Sequence, residues 1–447
     1  ACRDSLQADA DLVANPDADA DRSRRNKLVG CARTRLLAAW PCGAGLCPFI
    51  YAPDCRASSK PLERATTRVT PEESQAALAA LTDAVVFATT VSPNVPTAVT
   101  MVPAGPVDYA GRHLEPVCSR GTPYAFFARR GTVNKVFYYF QGGGACFDRF
   151  TCSPQIESFD ATVGPEDNPG LFTEGFANFS NATNPFRDWN LIFVSYCTGD
   201  IHWGDNTVTY TTAPYEAPNQ PPVTMHHNGY VNARVVEKWA REHFVNPEAV
   251  FVSGSSAGAY GAITGAAYLM ENTYRASHFD VVGDAGNGVI TQDFLVNNLA
   301  NWKVDLNTPR WIPELDKPAT DLSIDKLWSA VANHYPSQRF GQYTSSYDGG
   351  GGGQTFFYQV MRNPGNLLAW LTWWQSSCDW NARMLEIAHA TVAAAPNYRY
   401  YIGTGSRHTA WGSDKVYADT TGGVTPLVDW VNAMLAGSAA WTNVQCT

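Results

Sequence analysis

Short apolar runs alternate with amphipathic segments along most of the chain, beginning near residue 71. The apolar runs are three to five residues long, which is typical of strands buried on both faces. They lie at residues 136–140, 191–194, 249–252, 279–282 and 400–402. Residues 231–244 instead place their apolar side chains on one stripe of a helix. This alternation predicts an α/β fold with a mostly parallel central sheet that helices cover on both faces.

The N-terminal region has a different character. Residues 8–27 pass from an Asp/Ala-rich tract to a basic one. Residues 36–52 carry no charge, but the prolines and glycines within them would break a helix. This pattern resembles a secretory signal placed far from the start of the chain, and a disordered or cysteine-stapled extension fits equally well. We therefore predict an N-terminal extension at residues 1–65 and one large domain at residues 66–447.

Composition and charge exclude some classes of protein. The 447 residues are 45% hydrophobic, which is enough to bury a large core. The net charge of −9, with no basic stripe along any predicted helix, argues against nucleic acid as a partner. No stretch of 18 apolar residues is present, so the sequence predicts no helix that spans a membrane.

Eleven cysteines are many for a chain kept in a reducing compartment, and none of the close pairs has the His/Cys spacing of a zinc site. Disulfides formed in an oxidising compartment explain the number better than idle thiols do. We therefore predict a secreted protein, either extracellular or periplasmic. Because the number is odd, at least one thiol is unpaired or pairs outside this chain.

A Gly-x-Ser-x-Gly motif occupies residues 254–258, with Ser256 at its centre. It follows the predicted strand 249–252 and opens the helix-compatible segment 259–270. This is the context of a nucleophile elbow, where two glycines allow a sharp turn that exposes the serine hydroxyl. The helix N-terminus behind the serine favours developing negative charge. We predict Ser256 as a catalytic nucleophile and Ser255 as a local hydrogen-bonding residue.

A glycine-rich loop with the sequence Gln-Gly-Gly-Gly-Ala occupies residues 141–145 and directly follows the predicted strand 136–140. Without side chains, its backbone N–H groups can approach a reacting carbonyl closely and stabilise an oxyanion. The alternative is a flexible turn. The position at a strand end, upstream of the elbow, favours the oxyanion interpretation.

A general base is expected late in the chain, where His334, His389 and His408 are the candidates. His389 lies in a helical pattern, whereas His408 follows a predicted strand through a glycine-containing loop. A loop beyond a strand end lets a side chain reach the nucleophile, so we favour His408. For the acid, Asp284 at the end of a predicted strand and Asp348 further along are both candidates. The residues alone hardly separate these two.

Together these motifs resemble those of the pectin acetylesterase and Notum family of secreted carboxylesterases. The matching segments, spread over roughly residues 100–410, are 141–148, 194–200, 254–258, 284–286, 346–348 with Gln354, and His408. The resemblance implies an α/β-hydrolase catalytic domain with loop and helix insertions that form a cap. It also implies ester hydrolysis through an acyl-enzyme, for which a Ser-His-Asp triad needs neither a metal nor an organic cofactor.

The resemblance also separates the two acids. The family places its catalytic acid in a Tyr-Asp or Phe-Asp pair followed by Gln, which is Asp348 here, and leaves Asp284 beside the site. It assigns the oxyanion donors to the backbone N–H groups of Gly143, Gly144 and Ala257. Five glycines follow Asp348, a longer spacer than the family has, and such a run is entropically costly to order.

Further expectations from the family concern substrate contacts and disulfides. Asp284 is expected beside the substrate, and Trp203 either flanks the substrate or packs beneath a loop. The expected disulfides are Cys146 with Cys152, Cys118 with Cys197 and, by exclusion, Cys378 with Cys446.

The expected substrate is an acetyl ester on a plant cell-wall polysaccharide such as pectin, because the family commonly removes such groups. A lipid or polyester esterase is one alternative, in which the aromatic-rich residues 367–374 form an apolar cap or acyl pocket. That segment is more often an ordinary buried helix. Another alternative is a catalytically silent protein that binds a glycan or lipid on the same scaffold. The intact Ser, Asp, His and glycine loop argue against it.

Overall fold

The computed structural model describes residues 94–446, apart from residues 157, 214, 215, 217, 218 and 351. The predicted N-terminal extension at residues 1–65 lies outside the described residues, as do the first residues of the predicted domain.

One large sheet dominates the described part of the chain. Its strands and those of two small hairpins are β1 (Thr100–Pro103), β2 (Val107–Tyr109), β3 (Arg112–Leu114), β4 (Ala125–Arg129), β5 (Lys135–Phe140), β6 (Asn190–Val194), β7 (Asn206–Tyr210), β8 (Val223–His227), β9 (Ala249–Ser255), β10 (His278–Asp284), β11 (Arg339–Ser345), β12 (Tyr398–Gly403) and β13 (Val444–Gln445). The large sheet has the order β1-β4-β6-β5-β9-β10-β11-β12-β13. Its strands pair in parallel from β6 to β13, and β1 and β4 add an antiparallel edge. This confirms the predicted mostly parallel sheet.

Helices cover both faces of the sheet. They are α1 (Gly229–His243), α2 (Ala257–Tyr268), α3 (Gln292–Trp302), α4 (Leu327–His334), α5 (Gln354–Arg362), α6 (Leu367–Leu371), α7 (Ser377–Ala394), α8 (Lys415–Ala418) and α9 (Leu427–Leu435). On one face, α1, α2, α4 and α7 share a core cluster that includes Val252. On the other face, α9 packs in a cluster that includes Phe251. Neighbouring side chains on β9 enter opposite cores because they alternate along a strand.

No helix in the described residues is long and apolar enough to cross a membrane.

The strand order creates a crevice at the carboxyl ends of β5 and β9. The chain continues from β5 to β6 on one side of the sheet and later returns to β9 on the other side of β5. Loops diverge at such a switch point and leave room for a ligand outside the strand ends. The glycine loop 141–145 follows β5, and Ser256 follows β9. The sheet topology therefore brings both predicted catalytic features to the same crevice.

Two disulfides join described residues to each other, and they are the two pairs that the resemblance implies. They join Cys118 to Cys197 and Cys146 to Cys152. The first bond ties the segment before β4 to the segment after β6.

The expected bond between Cys378 and Cys446 is wrong. Cys378 is disulfide-bonded, but Cys446 has a free thiol. The sulfur of Cys446 instead lies 2.8 Å from the hydroxyl of Ser346 and 3.3 Å from the carbonyl oxygen of Gly403. The sequence could not identify Cys446 as the free thiol, because its surroundings depend on the pairing of β13 with β12.

Removing the Cys118–Cys197 disulfide should destabilise the fold more than removing the free thiol. The disulfide joins cysteines 79 residues apart. The double variant Cys118→Ser, Cys197→Ser should lose about 2–4 kcal/mol of unfolding free energy, because its unfolded chain gains freedom. Chemical denaturation measures this loss, with Cys446→Ser as the control that should change by less than about 1 kcal/mol. Equal stability of the double variant and wild type would contradict the structural role.

Candidate active site

Ser256 occupies a sharp turn between β9 and α2. Its backbone has φ 56° and ψ −120°, a conformation that costs a non-glycine residue about 1–3 kcal/mol. A Cβ atom on Gly254 would lie 2.2 Å from the carbonyl oxygen of Gly258, and one on Gly258 would lie 2.0 Å from that of Phe140. The turn therefore requires both glycines, in the way the motif predicts. Ser256 lines a cavity that is partly open to solvent.

The glycine loop packs directly on this turn. A Cβ atom on Gly142 would lie 2.3 Å from the carbonyl oxygen of Ser255. Gly144, with φ 84°, and Ala257, the first residue of α2, line the same cavity as Ser256. The N–H of Ala257 has no acceptor within its helix, because first-turn N–H groups lack one. Two of the three predicted oxyanion donors thus border the cavity beside the serine.

Polar side chains hold the glycine loop in place. The third predicted donor, Gly143, faces Tyr196, whose ring carbon would lie 3.1 Å from a Cβ at that glycine. The hydroxyl of Tyr196 donates to the carbonyl of Gly144 at 2.9 Å, and its backbone N–H donates to Oε1 of Gln141 at 2.9 Å. Nε2 of His202 lies 2.9 Å from the carbonyl oxygen of Gln141. These bonds fix the loop from both of its ends.

His202 is a support of the loop that the sequence analysis missed. Burial lowers the pKa of His202 to about 4, so its ring is neutral near pH 7 and Nε2–H can donate to the carbonyl. Its position close to the predicted contact Trp203 gave no sign of this role. The available signal was its place in the sequence, two residues after the family-matching segment 194–200.

His408 and Asp348 form a buried pair at the carboxyl ends of β12 and β11. Nδ1 of His408 lies 2.5 Å from Oδ1 of Asp348. The same oxygen accepts the N–H of Gln354 at 3.0 Å, and Oδ2 accepts the hydroxyl of Thr344 at 3.2 Å. Nε2 of His408 is buried and has no partner among the described residues. It is therefore available to receive a proton.

The charge of Asp348 governs the titration of His408. Burial by itself lowers the pKa of His408, but the attraction and hydrogen bond of Asp348, with a smaller contribution from Asp284, raise it above its ordinary value. The imidazolium that forms when the ring takes a proton is therefore stabilised by two carboxylates.

Two of the glycines that follow Asp348 make close backbone contacts beside the acid. Gly349 donates its N–H to the carbonyl of Ser406 at 2.7 Å, next to the loop that carries His408. A Cβ atom on Gly353 would lie 2.0 Å from the carbonyl oxygen of Gly349. Gly353 directly precedes Gln354, whose N–H at the start of α5 reaches Asp348. The long spacer is therefore compatible with the acid that the resemblance assigned.

Asp284 does not line the cavity where a substrate contact was expected. It is fully buried at the end of β10. Its carboxylate accepts the backbone N–H groups of Ala410 and Trp411 and the hydroxyl of Ser255. These bonds occupy the oxygens that a substrate would need.

Trp203 lies in the wall of the cavity. Its indole N–H donates to the carbonyl oxygen of Tyr260 at 3.0 Å and to the hydroxyl of Thr264 at 3.1 Å. Both acceptors belong to α2, so the ring is fixed to the helix that begins at Ser256. Trp203 can therefore contact a ligand only with its apolar faces.

The cavity is mainly apolar. Parts of its wall come from α3 and α5. The apolar side chains along it are Phe147, Ile201, Trp203, Ile290, Phe294, Leu295, Leu299, Trp302, Phe357, Val360 and Met361. None of the described residues 367–374 lines it, and Trp370 packs behind α5 against Phe356 and Val360. The aromatic segment is therefore a support of α5 rather than a cap over the site.

One cluster has the composition of a metal site. Cys146, Cys152 and His227 lie together in the described part of the chain. Because the two sulfurs are joined in a disulfide, they are not thiolates that could bind a cation. The ring of His227 bonds to the carbonyl oxygen of Thr198 and the hydroxyl of Tyr210.

Comparison with known proteins gives a consistent family and fold. A family model described as pectinacetylesterase matches residues 101–303, a range that contains the glycine loop and Ser256 but neither Asp348 nor His408. Pectin acetylesterase 11 and pectin acetylesterase 7 of Arabidopsis thaliana are 26% and 27% identical to this chain over 174 residues. The aligned part is 38% of this chain and 42% of each relative. The chain thus spans less than half the length of these curated relatives.

A solved structure shares the fold. The structure of the Wnt deacylase Notum from Drosophila matches 77% of this chain and 96% of its own, with a TM-score of 0.51 and 12% sequence identity. This likeness confirms the predicted α/β-hydrolase fold. The family model and the two curated relatives support the family that the motifs predict.

A fluorophosphonate probe, which reacts with activated serines, should label Ser256. Ser256→Ala should abolish labelling, whereas Ser255→Ala should still be labelled. The labelling rate should fall as the pH drops, because protonated His408 cannot accept the serine proton. Since the pKa of His408 is raised, the midpoint should lie above the ordinary value of about 6.5. A rate that stays constant between about pH 5 and 8 would contradict the role of His408.

Proposed function

We propose that this chain, which is similar to pectin acetylesterases in sequence and to Notum in fold, is a serine carboxylester hydrolase with the triad Ser256, His408 and Asp348. The observation that supports this most is the buried pair of His408 and Asp348, whose loop is linked to the turn of Ser256 through Asp284. The disulfides support an oxidising compartment, so we also propose that the protein is secreted.

In the proposed mechanism, Oγ of Ser256 attacks the ester carbonyl while Nε2 of His408 takes its proton. Asp348 holds the proton on Nδ1, so that Nε2 is the acceptor, and stabilises the imidazolium. The N–H groups of the glycine loop and Ala257 stabilise the oxyanion, each contributing about 3 kcal/mol. His408 then gives its proton to the departing alcohol, and water hydrolyses the acyl-enzyme by the same steps.

The cavity favours an acyl group longer than acetyl. Its walls beside Ser256 are apolar side chains from α3 and α5, which extend well beyond the reach of an acetyl group. Each CH₂ group of an acyl chain buried there contributes about 0.8 kcal/mol. We therefore propose that the cavity holds the acyl chain of an apolar ester. Deacetylation of a polysaccharide is the second candidate, and the names of the curated relatives favour it.

Chain-length preference should distinguish these candidates. We expect wild-type protein to hydrolyse p-nitrophenyl butyrate and octanoate at least about tenfold better than the acetate in kcat/KM, because the apolar walls bind the added methylenes. Ser256→Ala should lose all three activities. Acetate release from acetylated pectin and xylan is measured in parallel. Preference for acetate together with release from a polysaccharide would favour the second candidate, and labelling without any turnover would contradict both.

Narrowing the cavity should affect long chains selectively. Met361→Trp adds bulk to the wall formed by α5 and should lower kcat/KM for the octanoate about tenfold, a loss of about 1.4 kcal/mol, while the acetate is unaffected. Leu368→Trp is the matched control, because Leu368 is 62% exposed on α6. Equal losses for both esters in Met361→Trp would show that the acyl chain does not lie in this cavity.

A further inference from the structure

Both carboxylate oxygens of Asp284 accept hydrogen bonds from groups of the protein. Its two oxygens accept the N–H of Ala410 at 3.1 and 2.9 Å, and Oδ2 also accepts the N–H of Trp411 at 3.2 Å. The hydroxyl of Ser255 donates to Oδ2 at 2.6 Å and accepts from the hydroxyl of Tyr139 at 2.7 Å. One side chain therefore joins the residue before Ser256 to the residues that follow His408.

The backbone of Asp284 makes a second connection to the same elements. Its carbonyl oxygen accepts the N–H of Ser256 at 2.7 Å. The next residue, Ala285, donates its N–H to the carbonyl of Tyr343 at 2.9 Å, on the strand that leads to Asp348. The end of β10 thus contacts the segments that carry all three residues of the proposed triad.

The loop that carries His408 requires such a restraint. Thr409, between His408 and Ala410, has φ 63°, which is unfavourable for a β-branched residue. Hydrogen bonds from backbone N–H groups to a charged carboxylate are about twice as strong as those between neutral groups. The carboxylate of Asp284 can therefore offset the strain that this loop conformation stores.

We propose that Asp284 is a positioning residue that holds the His408 loop against the serine turn and adjusts the basicity of His408 through its charge. This role rests on the proposed function. It accounts for a buried carboxylate that touches no part of the cavity.

The charges around the pair support this role. His408 is faced by two carboxylates, Asp348 through a direct hydrogen bond and Asp284 through space. Burial raises the pKa of Asp284 to about 6, against the opposing effects of its hydrogen bonds and of His408. Hydroxyls of Ser255, Tyr139 and Tyr343 are the other polar groups that interact with it. Asp284 is therefore charged at neutral pH, and its charge raises the pKa of His408.

The test compares Asp284→Asn with Asp280→Asn in the full-length protein. The asparagine keeps the size of the side chain and removes its charge. Asp280 is the matched control, because it is a buried aspartate at the other end of β10 that pairs with Arg339. The measurements are kcat, KM and the pH dependence of kcat/KM for p-nitrophenyl butyrate, with active sites counted by fluorophosphonate.

We expect Asp284→Asn to lower kcat about tenfold or more with KM within about twofold of wild type, since the loop geometry affects the chemical step. The acid midpoint of its pH profile should move to lower pH, because His408 loses a neighbouring negative charge. Asp280→Asn should keep the wild-type midpoint. A wild-type kcat in Asp284→Asn, or a lower kcat with an unmoved midpoint, would overturn the proposal.

Ser255→Ala gives an independent test should Asp284→Asn fail to fold. It removes the hydrogen bond that lowers the pKa of Asp284, so more of that carboxyl is neutral near pH 7. The acid midpoint should again move to lower pH, by less than in Asp284→Asn, and an unmoved midpoint would overturn the proposal. Wild-type protein with neither turnover nor labelling would overturn the proposed function together with this role, whereas an unmoved midpoint in active variants would overturn this role alone.

Discussion

The close approach of the loop after β5 to the turn after β9 is the constraint on which the rest of the site depends. A Cβ atom on Gly142 would lie 2.3 Å from the carbonyl oxygen of Ser255, and one on Gly258 would lie 2.0 Å from that of Phe140. Backbone therefore meets backbone without intervening side chains, and this contact places N–H groups beside Ser256. Because the loop has no side chains of its own to pack, its shape must be imposed by Gln141, Tyr196 and other polar neighbours.

The strands predicted from apolar runs agree with the sheet because those strands are buried on both faces. β11 was not predicted, and its sequence explains why. Arg339–Ser345 is mostly polar, and its central Gln342 is buried only because Tyr398 donates to its side-chain oxygen and its amide donates to the carbonyl of Gly286. Residues distant in sequence form hydrogen bonds with the buried polar groups of this strand. A local hydrophobic pattern carries no information about such partners. The edge strand β1 was missed for a related reason, since it is largely exposed.

The site was only partly accessible from sequence. The turn at Ser256 and the loop of His408 were predictable because glycines and strand ends mark them locally. The choice between Asp284 and Asp348 was not predictable from the residues alone. Asp284 ends β10 and Asp348 follows β11, and these two strands are neighbours in the sheet. What separates them is the group that each carboxylate meets: Asp348 binds the imidazole, and Asp284 binds backbone N–H groups two and three residues beyond it. That difference depends on the path of the chain after β12, for which the residues near either aspartate give no signal.

The first turn of α5 couples the acid to the cavity. The N–H of Gln354 donates to Asp348, where the positive end of the helix dipole also favours the carboxylate. The side chain of Gln354 accepts the hydroxyl of Tyr260 at 3.2 Å and lines the cavity, and later residues of the same helix form its apolar wall. A shift of α5 to admit a larger acyl group would therefore also move a hydrogen bond of the acid. The helix α5 therefore has two functions. Its first N–H fixes the acid, and its later turns shape the acyl cavity.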